Sequence, residues 1–251
     1  MADKPLTVGS LFSGIGGLEL GLERAGMRVV WQVEKDAFCR KVLAKHWPSV
    51  TRYEDVKDVG KETLEAVDLI CGGFPCQDVS HGGLRAGIKA GTRSGLWHEY
   101  ARIIRELRPR YVLVENVSGL LSDGMGTVLG ELSDCGYDAE WSLLPACALG
   151  ATHTRERVFV LAYPNGLNGA PWIRSLQQSR RAAHESRNNS PLSSSDQSAR
   201  LENPSSLYRV ANEVPARVER NTALGNAVYP DCAEWIGHRI VEADKEMRGA
   251  A

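Results

Sequence analysis

Apolar residues fall along this chain in short runs closed by glycines or acids, and stretches with apolar positions at helical spacing separate those runs. The first run, Leu6 to Phe12, predicts a strand, Ser13-Gly14-Ile15-Gly16-Gly17 a turn, and Leu18 to Gly26 a helix. Val29 to Val33 predicts a second strand, ending at Glu34. A helix from about Asp36 to His46 follows, with Phe38, Val42 and Leu43 on one face, before Pro48 stops it. A third short strand leads to Glu54-Asp55-Val56. Val67 to Cys71 has the continuous apolar character of a buried parallel strand. Leu96 to Leu107 predicts an amphipathic helix, Tyr111 to Val114 a strand ending at Glu115-Asn116-Val117, Met125 to Leu132 a helix, and Tyr137 to Leu143 and Arg157 to Ala162 two more strands. The alternation predicts a doubly wound, mostly parallel, Rossmann-like α/β sheet over residues 1–164.

The pattern then changes. Residues 165–213 are rich in Ser, Asn, Arg and Gln, with little apolar periodicity, and predict a short, loosely ordered insertion. From Asn165 to Arg220 there are eight Arg and no Lys against five acids, a local excess of +3. Arginine without lysine suits phosphate and base-edge contacts, although a solvated linker looks much the same. Order is expected to return over 214–251. There Gly225-Asn226-Ala227-Val228 reads as a turn opening a helix from about Asp231 to Glu246.

Composition narrows the picture only a little. The 251 residues, 43% hydrophobic, can bury one substantial core of a soluble protein, and a formal net charge of −1 says nothing for or against a nucleic-acid partner. Cysteines at 39, 71, 76, 135, 147 and 232 form no C-x-x-C pair. With no signal peptide, they suit a reducing cytosol and argue against a disulfide framework or a zinc site. No apolar run reaches the ~20 residues a membrane span needs.

Candidate chemistry gathers at the predicted strand ends. In open α/β sheets ligands sit outside the carboxyl ends of the strands, and Phe12, Glu34, Asp55, Cys76 and Glu115 all fall there. The first glycine turn, opening a helix, is a plausible nucleoside cradle, with Glu34 where an acid commonly takes ribose hydroxyls. An acid such as Asp55 could accept from an adenine amino group, though an Asp in a loop is more often a cap. Cys76 could be a nucleophile or a small core residue. The glycine-rich stretch Gln77 to Ser94 has the length of a functional loop. A thiolate at Cys76, a carboxylic acid at Glu115 and a nucleoside-type cofactor fit conjugate addition to an electron-poor ring.

Phe12-Ser13-Gly14-Ile15-Gly16-Gly17, Gly73-Phe74-Pro75-Cys76-Gln77, Glu115-Asn116-Val117, Arg155-Glu156-Arg157 and Gly225-Asn226-Ala227-Val228 occur in that order. In these motifs the chain resembles the DNA (cytosine-5)-methyltransferases of bacterial or phage type, over about residues 6–164 and 214–242. The resemblance implies transfer of a methyl group from S-adenosylmethionine to C5 of a cytosine flipped out of DNA, without a metal. It implies that Cys76 attacks C6, that Glu115 protonates or hydrogen-bonds N3, and that Arg155 and Arg157 hold the base and the region of the carboxylate, with Pro75 beside them. It places S-adenosylmethionine along Phe12, Gly14, Ile15, Gly16 and Gly17, with Glu34 on its ribose, Asp55 and Val56 at its adenine, Pro75 at its border and Asn226 closing the site. Gln77, Ser80 and Arg93, in the loop after the cysteine, would meet the DNA. The resemblance further implies double-stranded DNA as partner, a cognate restriction endonuclease as a candidate second partner, and a monomer in the cytoplasm of a bacterial or phage-infected cell.

Three departures from that family stand out. Ser10 replaces the usual Asp before Leu-Phe, His153 and Thr154 replace the usual residues before the arginine pair, and 165–213 is short and polar where the family carries a longer target-recognition domain. That short segment leaves open a DNA-binding remnant of weak catalysis. The glycine turn and Glu34 alone would also suit a dinucleotide-dependent oxidoreductase, and the same cysteine chemistry would serve an RNA cytosine.

Overall fold

The computed structural model describes residues 4–75, 95–166 and 217–249. Within them the chain runs β1 (Thr7–Leu11), α1 (Gly17–Arg24), β2 (Arg28–Val33), α2 (Ala37–His46), β3 (Thr51–Tyr53), β4 (Leu69–Gly72), α3 (Leu96–Leu107), β5 (Tyr111–Val117), α4 (Met125–Asp134), β6 (Tyr137–Pro145), β7 (Glu156–Pro164), α5 (Arg217–Asn226) and α6 (Pro230–Gly249). The seven strands make one mixed sheet in the order β3-β2-β1-β4-β5-β7-β6, in which β7 runs antiparallel to both its neighbours, β5 and β6, and the other pairings are parallel. The order reverses between β1 and β4, so the ends of these two strands open a crevice.

The strand cores are apolar because helices cover both faces. On one face Leu11, Trp31, Ile70, Val112, Val114 and Val160 pack with Trp97, Ile103, Ile104 and Val128 of α3 and α4. On the other, Val8, Val29, Leu69, Leu113 and Leu161 meet Leu18 and Leu22 of α1 and Ile236 and Ile240 of α6. The last helix is locked to β5 by Asp244, nearly buried, which takes Arg110 at 2.6 Å, Arg248 at 2.7 Å and the Tyr111 hydroxyl at 3.2 Å.

Predicted and observed elements agree closely through β7, with two informative differences. β5 continues through Glu115 and Asn116 to Val117, because antiparallel pairing with β7 supplies backbone partners where a parallel strand would already have ended. Gly225 and Asn226 do not open a helix: they close α5, and α6 begins at Pro230. The cradle expected of a helix N-terminus therefore does not form at Asn226. The predicted loop from Gln77 to Ser94 and the segment 167–216 lie outside the described residues.

A buried polar cluster sits under α1. Register places Ser10 between Gln32 and Cys71, and the Ser13 hydroxyl donates to the Ser10 hydroxyl oxygen at 3.0 Å. Above it Glu19 is fully buried beside the Ser10 and Ser13 hydroxyls, and the side-chain amide of Gln32 has no hydrogen-bond partner among the described residues. Burial pushes the Glu19 carboxyl up to about 7.

The folded chain thus keeps a proton that the unfolded chain gives up near pH 4.5. This contribution to stability is complete below that pH and is lost as pH rises through about 7. Glu19→Gln removes the ionisation. We expect thermal unfolding to show variant and wild type close together at pH 5 and the variant several degrees more stable at pH 8, a gap of about 1–3 kcal/mol. An equal difference at both pH values would show that Glu19 does not titrate in the folded protein.

Candidate active site

The carboxyl ends of β1 to β5 open into one cavity of about 1070 Å³. Phe12 and Gly14 enter it after β1, Glu34 after β2, Asp55 and Val56 after β3, Gly73 to Pro75 after β4, and Glu115 to Val117 from β5. Arg157 of β7, Thr222, Ala223 and Asn226 of α5, and the following Ala227 and Val228 complete the wall.

At one end the chain is shaped around backbone groups. Phe12 (φ 55°) and Gly14 (φ 56°) both adopt the left-handed conformation, and a side chain at Gly14 would point into open space within the cavity mouth. Glu34 holds this turn: Oε2 accepts the Gly14 N–H at 2.7 Å and Oε1 the Asp36 N–H at 2.7 Å. Partial burial raises its carboxyl from the ordinary value. Asp55 accepts from Lys35 Nζ at 2.9 Å and from the Lys57 N–H at 3.1 Å, and the Lys35 ammonium holds its carboxyl below the usual range. Asp55 is therefore a cap as well as a cavity residue. Gly17 lines the cavity too, but mainly serves packing, since a methyl there would sit 2.5 Å from the Val228 carbonyl oxygen.

The other end is built around Glu115. Its carboxylate is buried, pairs with Arg157 Nε at 3.0 Å, and lies so close to the β4 exit that a methyl on Gly73 would stand 2.5 Å from Oε2. Asn116 Nδ2 donates to the Phe74 carbonyl at 3.1 Å, tying that exit to β5. Below, Phe74, Trp97 and Tyr100 form a run of rings 5.3 and 5.4 Å apart, and the Tyr100 hydroxyl reaches the Ile70 and Leu113 carbonyls of adjacent strands. Burial pushes Glu115 up to about 7, against the pull of the Arg157 and Arg155 guanidinium groups. Near neutrality it is a carboxyl group that can hold or release a proton.

Ten of the expected site residues thus share this cavity: Phe12, Gly14, Gly17, Glu34, Asp55, Val56, Pro75, Glu115, Arg157 and Asn226. Ile15, Gly16 and Arg155 do not line it. They face a second, more apolar cavity of about 820 Å³ behind the glycine turn, with Trp47, His153 and Tyr229. Cys76, Gln77, Ser80 and Arg93 lie outside the described residues, although Pro75, which directly precedes Cys76, is at the cavity wall. Gly73, Asn116 and Lys35 were not among the expected residues. The first two sit inside recognised motifs, whereas nothing local marks Lys35, whose partner is 20 residues away. Among the described residues no group of three His, Cys, Asp or Glu side chains could hold a metal ion. No helix among them is long and apolar enough to cross a membrane.

This strand order, with a cavity across the carboxyl ends and an antiparallel pair at one edge, places the protein in the methyltransferase class of doubly wound α/β folds. A DNA modification methyltransferase encoded within an E. coli prophage superposes with a TM-score of 0.55 at 30% identity, over 64% of this chain and 47% of that one. The S. pombe Dnmt2 methyltransferase shares the fold at a TM-score of 0.54 and 20% identity, over 65% of this chain and 50% of that one. The chain belongs to the C-5 cytosine-specific DNA methylase family, whose model matches residues 6–242. Among relatives, the Type II methyltransferase M.Eco47II of Escherichia coli is 38% identical over 168 residues, 64% of this chain and 40% of its own length. M.FnuDI of Fusobacterium nucleatum is 36% identical over 163 residues, 63% of this chain and 47% of its own. The match therefore spans less than half the length of these relatives. Family membership removes the ground for an oxidoreductase.

The guanidinium beside Glu115 lowers its titration, so removing that charge must raise it. In Arg157→Met we expect the Glu115 midpoint to move above about 7. Infrared difference spectra of the carboxyl stretch across pH, with Glu115→Gln as the blank, measure it. A midpoint unchanged or lowered would contradict the pairing.

Proposed function

We propose that this chain transfers a methyl group from S-adenosylmethionine to C5 of cytosine in double-stranded DNA, through a covalent bond between Cys76 and C6 of a flipped base. The observation that carries this reading is the convergence of two ends in one cavity. The β4 exit leading to Cys76 lies against the Glu115–Arg157 pair, and the same cavity runs on to Gly14, Glu34 and Asp55. The residues present fit the cofactor: a glycine turn with open space beside Gly14, a carboxylate reaching the cavity from each of β2 and β3, and a cavity of about 1070 Å³ that runs on to the base end. S-adenosylmethionine supplies an electrophilic methyl group on a sulfonium.

In this scheme Glu34 retains lone pairs for ribose hydroxyls while fixing Gly14, and Asp55 and Val56 border the adenine. Glu115, pushed up to about 7 by burial, in its protonated form gives its proton to N3 as the Cys76 thiolate bonds to C6, so that electron density moves to C5. Arg157 keeps the carboxylate in place after that proton has left. C5 would take the methyl group as the methyl–sulfonium bond breaks and S-adenosylhomocysteine leaves. A base then removes the C5 proton, the C6–S bond breaks to restore the Cys76 thiolate and the C5–C6 double bond, and N3 returns its proton to Glu115. The base is flipped because C6 is inaccessible in the stack. We assign 165–213 to target recognition, between a catalytic part over 1–164 and a returning part over 214–251. The working assembly is then a cytoplasmic monomer, with a restriction endonuclease as companion enzyme.

Duplex DNA carrying 5-fluorocytosine tests the chemistry, because fluorine at C5 blocks the final elimination and leaves protein attached. With S-adenosylmethionine the wild type should form a denaturation-resistant adduct, Cys76→Ala none, and Glu115→Gln about 10²- to 10⁴-fold more slowly. A wild type that forms no adduct, or a Cys76→Ala that still forms one, overturns the proposal.

A further inference from the structure

Arg155 and Arg157 stand two residues apart, but the structure separates their surroundings. Arg157 lines the main cavity and pairs with Glu115, whereas Arg155 lines the second cavity and turns toward the C-terminal part of the chain. Its Nη2 donates to the Gly225 carbonyl at 2.8 Å, while its buried Nε has no partner among the described residues. Two residues earlier, the His153 ring meets the Tyr229 ring edge-on at 5.7 Å. The segment making both contacts is itself anchored, since the Ala146 N–H donates to the Thr154 carbonyl at 2.9 Å.

Both contacts fall on one turn, residues 225–229, which joins α5 to α6 and supplies Asn226, Ala227 and Val228 to the main cavity. From the opposite side Gly17 is pressed on the Val228 backbone, too closely for any side chain. The turn is thus held between the glycine turn after β1 and the 153–155 segment before β7. Gly225 and Asn226 form the last turn of α5, and the Ala227 N–H donates to the Leu224 carbonyl at 3.3 Å. Beyond the helix end, the contacts from Gly17, His153 and Arg155 help to fix its position.

We propose that His153 and Arg155 are positioning residues that clamp the 225–229 turn as a wall of the main cavity, while Arg157 makes the direct ion pair with Glu115. Resting on the methyl-donor reading above, the clamp sets the affinity for S-adenosylmethionine from outside its site.

Full-length wild type, Arg155→Met, Arg155→Lys and His153→Ala test this by two measurements without DNA: calorimetric binding of S-adenosylmethionine and hydrogen exchange of the 224–230 amides. Methionine keeps the apolar stem but cannot donate. Arg155→Met should weaken binding about three- to tenfold and speed exchange in the turn, as expected for one lost exposed hydrogen bond. Arg155→Lys, which can still donate to Gly225, should recover most of both. His153→Ala should speed exchange in the same amides. Arg157→Met should leave exchange in the turn at the wild-type rate. Unchanged exchange in Arg155→Met, or lysine behaving like methionine, would overturn the clamp. A wild type that fails to bind S-adenosylmethionine would instead overturn the methyl-donor reading, and exchange would still decide the clamp.

Discussion

A carboxylate buried at a strand end has to be neutralised by a partner or kept protonated, and the pairing of β5 with β7 determines how far each happens to Glu115. In the antiparallel register Glu115 faces Phe159 and Val117 faces Arg157, so the guanidinium reaches diagonally back to the carboxylate at 3.0 Å. The same pairing carries β5 past the point where β4 stops, which brings Glu115 alongside Gly73 and leaves no room for a side chain there. Burial and ion pairing then oppose each other, and burial prevails enough to put the group near 7. An acid so placed can both give and take a proton.

The remainder of the cavity depends on similar long-range closures. Glu34 organises the glycine turn from the neighbouring strand, Asn116 fixes the β4 exit from the next one, and the 225–229 turn closes the wall from a part of the chain more than 200 residues beyond β1. α6 is held in turn by Asp244, whose two arginines and tyrosine offset its burial. Glu115, the glycine turn and the β4 exit are therefore each supported by an element other than their own.

Much of this was legible in order and kind. Short apolar runs and 3.6-residue spacing report local structure directly, so the strands and helices through β7 were found within a few residues. Acids and glycines following those runs mark the carboxyl ends where an open sheet places its ligands. The Gly225-Asn226 pair misled because a glycine before an apolar stretch reads equally as the start of one helix or the end of another. The two arginines misled for a related reason. Residues two apart share a face only inside a strand, and β7 begins at Glu156, so Arg155 is not bound by the pleat that points Arg157 at Glu115.

The sequence by itself therefore determined the succession of elements, the family and which residue types stand at the strand ends, since these depend on neighbours within a few positions. The tertiary structure alone decided which of those groups meet, because strand register, the depth of burial and the return of α5 and α6 are set by contacts between distant segments. It made a protonatable acid of Glu115, a cap and cavity wall of Asp55, and a fully buried acid of Glu19. It also moved Arg155, Ile15 and Gly16 out of the cavity that their motifs suggested.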